Sequence, residues 1–231
     1  RSMDNTASME QGLLVAGDAE NPRACVIWLH GLGASADDFV PAVPYLKLSE
    51  NAGVKFLFPQ APVRPVTING GWEMPAWYDI LRMLPEREIV PEHLQEAAQA
   101  LHRLTRQQVE AGVPADQIYW AGFSQGGAVV LEAALNSARY QDVILPNTVF
   151  ALSTYQALPI DQVTDLAQVN FWHAHGSHDD VVPFAMGKKA FETTESISQE
   201  SHWQPYPMSH EVCVAQLEAM GQYLSKQLES A

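Results

Sequence analysis

Short β-rich apolar runs alternate along this chain with loops and helical stretches, and few architectures accept that order. Ala24–Leu29, Val54–Phe58, Gln117–Ala121, Thr148–Leu152 and Val169–His175 read as strands, with His202–Tyr206 a weaker one. Several are apolar at consecutive positions, as strands buried on both faces must be. Leu94, Ala97, Ala98, Leu101, Leu104 and Val109 recur at three- and four-residue spacing, and Gly112 with Pro114 ends that helix. Ala128–Ala138 reads as a second helix, and Cys213, Leu217, Met220, Leu224 and Leu228 mark the apolar face of another. Strands alternating with helices imply a mostly parallel central sheet covered on both faces. The expectation is one α/β domain over residues 1–231, with 1–10 outside its ordered part and Met3 a candidate native start.

The stretch Pro59–Pro91 departs from this scheme. It carries prolines throughout, Gly70-Gly71 and the aromatics Trp72, Trp77 and Tyr78, with no clear period. Irregular segments of this length are uncommon in compact domains and usually serve as lids or binding loops. Its aromatics predict that it packs down on the body of the domain.

Composition narrows the functional classes. With 13 Lys+Arg against 27 Asp+Glu the formal net charge is −14. That disfavours nucleic acid, which is bound largely by Lys and Arg displacing counterions, and it disfavours docking on an anionic leaflet. No apolar run approaches the ~20 residues of a membrane helix, so no transmembrane segment is expected. No signal peptide is legible at the start, which favours the cytoplasm. Cys25 and Cys213 lie in a strand-like and a helix-like run and read as buried thiols.

Chemistry concentrates at Gly122-Phe123-Ser124-Gln125-Gly126, a G-x-S-x-G pattern with a strand running in and a helix running out. That context is a nucleophile elbow, in which glycines let the backbone close around a sharp turn and lift the serine hydroxyl above the sheet edge. A serine hydroxyl is a weak nucleophile until a base stands beside it. In this arrangement an acid and then a histidine follow in chain order. His178-Asp179-Asp180 lies just beyond the Val169–His175 strand, and His210 lies between the last strand and the last helix. Ser124 is thus the candidate nucleophile and His210 its base, with Asp179 or Asp180 orienting the imidazole; spacing alone does not separate the two acids. The oxyanion of a tetrahedral intermediate needs backbone donors, for which Gln125 and Leu32 of His30-Gly31-Leu32-Gly33 are the candidates. His30 itself reads as a histidine supporting that loop.

Two other classes compete. His173, His175, His178, Asp179 and Asp180 are dense enough to raise a catalytic metal, although no H-E-x-x-H motif is present. A non-catalytic binding protein on the same scaffold is the other, and the presence of all three triad candidates weighs against it. No metal and no cofactor are expected.

Taken together, these motifs resemble the acyl-protein thioesterase/carboxylesterase (phospholipase/carboxylesterase) family of α/β-hydrolases. The resemblance runs from Val26-Ile27-Trp28-Leu29-His30-Gly31-Leu32-Gly33 to the final helix. It includes Pro59–Thr67 and Met74–Ile80 of the long loop, Gly122–Gly127, and Asp179-Asp180-Val181-Val182-Pro183. It implies an α/β-hydrolase fold without a large cap domain, with Ser124, Asp179 and His210 as the triad. Ser177 stands where many members carry a further acid, and His178–Val182 is more similar to the bacterial carboxylesterase branch. The implied activity is hydrolysis of short- to medium-chain acyl esters, with acyl-protein thioesterase or lysophospholipase activity as the alternative. By the family's layout Trp72, Met74, Trp77, Thr154 and Tyr155 flank the acyl pocket. A homodimer is compatible with the resemblance.

Overall fold

The computed structural model describes residues 9–162 and 165–230. In chain order the elements begin with β1 (Leu14–Gly17), β2 (Ala24–Leu29), a 3-10 segment (Ala36–Leu46) and β3 (Val54–Phe58). Two small hairpins follow, β4 (Val63–Val66) with β5 (Trp72–Pro75) and β6 (Ile80–Arg82) with β7 (Glu88–Ile89). Then come α1 (Pro91–Glu110), β8 (Ile118–Phe123), α2 (Gln125–Leu135), β9 (Thr148–Leu152) and β10 (Leu166–Gly176). The chain closes with α3 (Phe184–Glu195), β11 (Ser198–Tyr206) and α4 (Val214–Glu229).

Seven strands form one sheet in the order β1-β3-β2-β8-β9-β10-β11, parallel except for β1, which pairs antiparallel with β3. The run Ala24–Leu29 explains the covering of both faces. Cys25, Ile27 and Leu29 point into one apolar cluster with Leu94, Leu101, Trp120 and Val130, while Ala24, Val26 and Trp28 join Phe56, Phe150, Met220 and Leu224 in the other. Successive side chains of a strand face opposite ways, so a run apolar at every position needs a layer on each side.

Three expected strands are found with the expected ends, Ala24–Leu29, Val54–Phe58 and Thr148–Leu152. The others are displaced by a residue or two or extended, and the weak run at His202 is a nine-residue strand, Ser198–Tyr206. β1, α3 and the 3-10 segment Ala36–Leu46 are not marked by the sequence pattern. β1 is four residues long and mostly exposed, so it leaves no apolar pattern. α3 buries Gly187, Ala190 and Thr194, a face made of small residues rather than large apolar ones. The Pro59–Pro91 stretch contains hairpins of two- to four-residue strands, too short to print a period of two. Met9 is packed in the core at 1% exposure, so the ordered chain begins earlier than residue 11; residues 1–8 lie outside the described residues. Cys25 is buried, with its thiol pushed up to about 12 by burial, whereas Cys213 is only partly buried, against the expectation of two buried thiols. No helix among the described residues is long and apolar enough to cross a membrane.

Two core histidines carry a prediction. His102 on α1 donates from Nε2 to the carbonyl of Ala133 on α2 at 2.8 Å, and burial lowers its pKa to about 4. His173 on β10 lies 2.8 Å from Thr194 Oγ1, and burial lowers its pKa to about 3. Both imidazoles are neutral when folded, while in the unfolded chain they protonate near pH 6.5. Below that pH the unfolded state binds the extra protons. Stability therefore falls as pH drops, by about 1.4 kcal/mol per pH unit for each histidine, until its folded value is reached. Urea unfolding at pH 7, 6 and 5 should show this slope. A His102→Gln/His173→Gln variant should lessen it by their share, leaving the part due to other buried histidines such as His30.

Candidate active site

The site is built where three parallel strands end. β8 stops at Phe123 and α2 starts at Gln125, leaving Ser124 alone at the corner with φ 55° and ψ −117°. A non-glycine residue rarely adopts that conformation, which costs of the order of 1–3 kcal/mol. Three hydrogen bonds hold it. Ser124 N–H donates to Leu152 O at 2.9 Å, and Ser124 O accepts from Ala128 N–H at 3.1 Å and from Thr154 Oγ1–H at 2.6 Å. The flanking glycines are steric necessities. A Cβ on Gly122 would stand 2.3 Å from Gly126 O, and one on Gly126 would stand 2.5 Å from Leu29 O.

The loops after β10 and β11 are laced together by Ser177 N–H to Tyr206 O at 2.8 Å and His178 N–H to Met208 O at 3.0 Å. That places His210 between acid and serine. Its Nε2 lies 3.0 Å from Ser124 Oγ and its Nδ1 2.8 Å from Asp179 Oδ2. The imidazole packs on the Phe123 ring at 4.8 Å. The Asp179 side chain is wholly buried, and its Oδ1 accepts from the N–H groups of Val181 at 2.9 Å and Val182 at 2.8 Å. Asp180 is exposed. With a carboxylate at Nδ1, the proton sits there and the Nε2 lone pair faces the serine hydroxyl.

Beside Ser124 opens a cavity of about 310 Å³, walled largely by Leu32, Ile68, Ile80, Met83, Val181 and Val182. The family model described as Phospholipase/Carboxylesterase matches residues 11–228 of the chain. The chain belongs to that family. Among its relatives is acyl-protein thioesterase 1 of Neurospora crassa, 31% identical over 224 residues, covering 94% of this chain and 91% of the relative. Acyl-protein thioesterase 1 of Saccharomyces cerevisiae is 31% identical over 233 residues, 95% of this chain and 99% of its own. Arabidopsis thaliana SOBER1 superposes with a TM-score of 0.76 at 26% identity, over 89% of this chain and 99% of that one. A carboxylesterase of Bacillus cereus shares the fold at TM-score 0.73 and 15% identity, over 97% of this chain and 99% of that one. As a phospholipase/carboxylesterase member the protein is a serine hydrolase with the α/β-hydrolase fold.

Around this family's elbow the two expected oxyanion positions, Leu32 and Gln125, both border the cavity with Ser124. The segment between β3 and β6 anchors Gln125 and the His30 end of the loop that carries Leu32. The Gln125 side chain, 3% exposed, accepts Trp77 N–H on Oε1 at 2.6 Å and donates from Nε2 to Tyr78 O at 2.7 Å. His30 accepts Ala61 N–H on Nε2 at 3.0 Å, and its carbonyl takes the Trp77 indole N–H at 2.8 Å. Burial lowers the His30 pKa, which keeps it neutral for that acceptance. The expectation of a loop-supporting histidine therefore matches its contacts.

The expected acyl-pocket residues divide. Tyr155 borders the cavity. Thr154 instead holds the carbonyl of Ser124. Trp77 is 1% exposed and its indole lies tilted against the His30 ring at 5.2 Å in the core, so it is a structural anchor rather than a wall. Trp72 is 76% exposed at the end of the β4–β5 hairpin, and Met74 lies toward Gly33 and Asn69; neither borders the cavity. Aromatic content alone could not separate an anchoring ring from a lining one. The apolar walls come from Ile80 and Met83, which lie within the long loop, and from Val181-Val182, which follow the acid. Two of the three histidines of the metal reading are engaged otherwise, His173 by Thr194 and His175 by the carbonyl of Val182 at 2.8 Å. Among the described residues no group of three or more His, Cys, Asp or Glu side chains could hold a metal ion.

Proposed function

We propose that this protein hydrolyses short- to medium-chain acyl esters through an acyl-enzyme formed on Ser124. The supporting observation is the chain of hydrogen bonds Asp179–His210–Ser124 at the edge of an apolar cavity. His210 Nε2 takes the hydroxyl proton as Ser124 Oγ attacks the acyl carbonyl, and the N–H groups of Leu32 and Gln125 receive the oxyanion. The imidazolium returns its proton to the departing alcohol. Water then repeats the sequence on the acyl-enzyme, releasing the acid and free Ser124. Asp179 keeps the proton of neutral His210 on Nδ1 and stabilises the imidazolium. Each methylene fully desolvated in the cavity contributes about 0.8 kcal/mol.

Thioester hydrolysis is the second reading, favoured by the names of the 31%-identical relatives, acyl-protein thioesterase 1. The same machinery serves it, since a thiolate leaves more readily than an alkoxide. The experiment is intact-mass labelling with a fluorophosphonate followed by peptide mapping, with and without EDTA. One adduct on Ser124, indifferent to EDTA, is expected, and an ester and thioester chain-length series then ranks the substrates. A folded protein without an adduct would sink the proposal.

A further inference from the structure

Arg87 sits in the turn between β6 and β7 and borders the same cavity as Ser124. Its guanidinium is held in place on two sides. Nη2 donates to the carbonyl of Val181 at 2.9 Å, and the group lies over the Tyr155 ring at 4.6 Å from the centroid. Its Nε is buried and has no acceptor among the described residues. Nor does any ion pair among them include Arg87, although the chain has 27 acidic residues for 13 basic ones. The adjacent Glu88 is turned to Arg82 instead, at 3.0 Å. The phenols below give no counter-charge. Tyr155 and Tyr78 bond to each other through their hydroxyls at 2.6 Å, and burial raises both pKa values above the ordinary phenol range. The other ionisable side chains bordering the cavity are His210 and Asp38, the latter exposed on the Ala36–Leu46 segment.

A half-buried guanidinium without a carboxylate is a recognition group for a planar anion, because its N–H donors are fixed in one plane and always charged. We propose that Arg87 is a specificity-determining residue that receives a carboxylate at the far end of the acyl group, so that monoesters of dicarboxylic acids are substrates. The proposal rests on the serine-hydrolase reading of Ser124. The cavity that the serine and the arginine both border is walled by the hydrocarbon of Leu32, Ile80, Met83 and Val182, which suits the methylenes linking an ester carbonyl to a terminal carboxylate. That is the reason to assign the anion to the acyl part of the substrate rather than to a phosphate on its alcohol part.

The test compares two esters with one leaving group, mono-p-nitrophenyl glutarate and p-nitrophenyl pentanoate, which differ by a terminal carboxylate in place of a methyl. The readout is the ratio of their kcat/KM values. In Arg87→Met this ratio should fall about 10- to 100-fold, the range set by one charge-assisted hydrogen bond. The loss should fall mainly on KM, and Arg87→Lys should restore part of it. Arg87→Gln serves if the Met variant does not fold. An unchanged ratio, with both esters slowed alike, would mean that Arg87 only pins Val181, and the proposal fails. It also fails if the variants lose selectivity for an acylglycerol phosphate over the acylglycerol while the glutarate ratio is unmoved. Fluorophosphonate labelling of Ser124 in every variant separates these outcomes from a failure of the hydrolase reading.

Discussion

Ser124→Ala and His210→Ala should each lower kcat by about 10⁶-fold, and the double variant should be no slower than either single one. The groups act as a unit: the serine hydroxyl has no base without the 3.0 Å contact to His210, and the imidazole has no nucleophile without the serine. Steady-state kinetics on a p-nitrophenyl ester checks the rates, and a multiplicative loss in the double variant would contradict a shared step. Thermal melts add a control with its own sign. Alanine keeps a Cβ at φ 55°, so Ser124→Ala should leave the backbone strain in place, whereas Ser124→Gly should relieve it and stabilise the fold by about 1 kcal/mol.

Asp179→Asn should reduce kcat about 10⁴-fold, while Asp180→Asn should stay within roughly threefold of the parent. The amide introduced by Asp179→Asn keeps an oxygen for the N–H groups of Val181 and Val182, so the loop survives. Its N–H₂ group would then face His210 Nδ1, moving the imidazole proton to Nε2, the atom that must accept from Ser124. The geometry is preserved and the tautomer is wrong. Asp180, exposed and outside this chain of bonds, has no such consequence. Equal losses from the two variants, measured on the same p-nitrophenyl ester, would overturn the assignment of Asp179.

The candidate nucleophile and base were readable before any coordinates because their signals are local. An elbow needs Gly122 and Gly126 within one turn of Ser124, and buried parallel strands need runs such as Ala24–Leu29. Both are patterns of adjacent residues. The order of strands, loops and acid then limited the catalytic candidates to Ser124, His210 and one of two neighbouring aspartates, and the family resemblance favoured the first aspartate. In the pocket, local reading failed. Trp72, Met74 and Trp77 were expected as walls because they share a loop, yet that loop folds into hairpins that bury one indole and expose the other.

The chain's local patterns thus determined the α/β class, most of its parallel strands, and Ser124 and His210 as the candidate reacting pair. Tertiary structure decided what depends on distant segments meeting. Asp179 and His210 are 31 residues apart and Ser124 and His210 are 86 apart, and packing of the β10 and β11 loops brings them within 3.0 Å. It likewise set Arg87 beside Val181, 94 residues away, with its Nε unpaired. Period and turn chemistry act over a few residues, so they prescribe elements; which side chains face one cavity is set by how those elements pack.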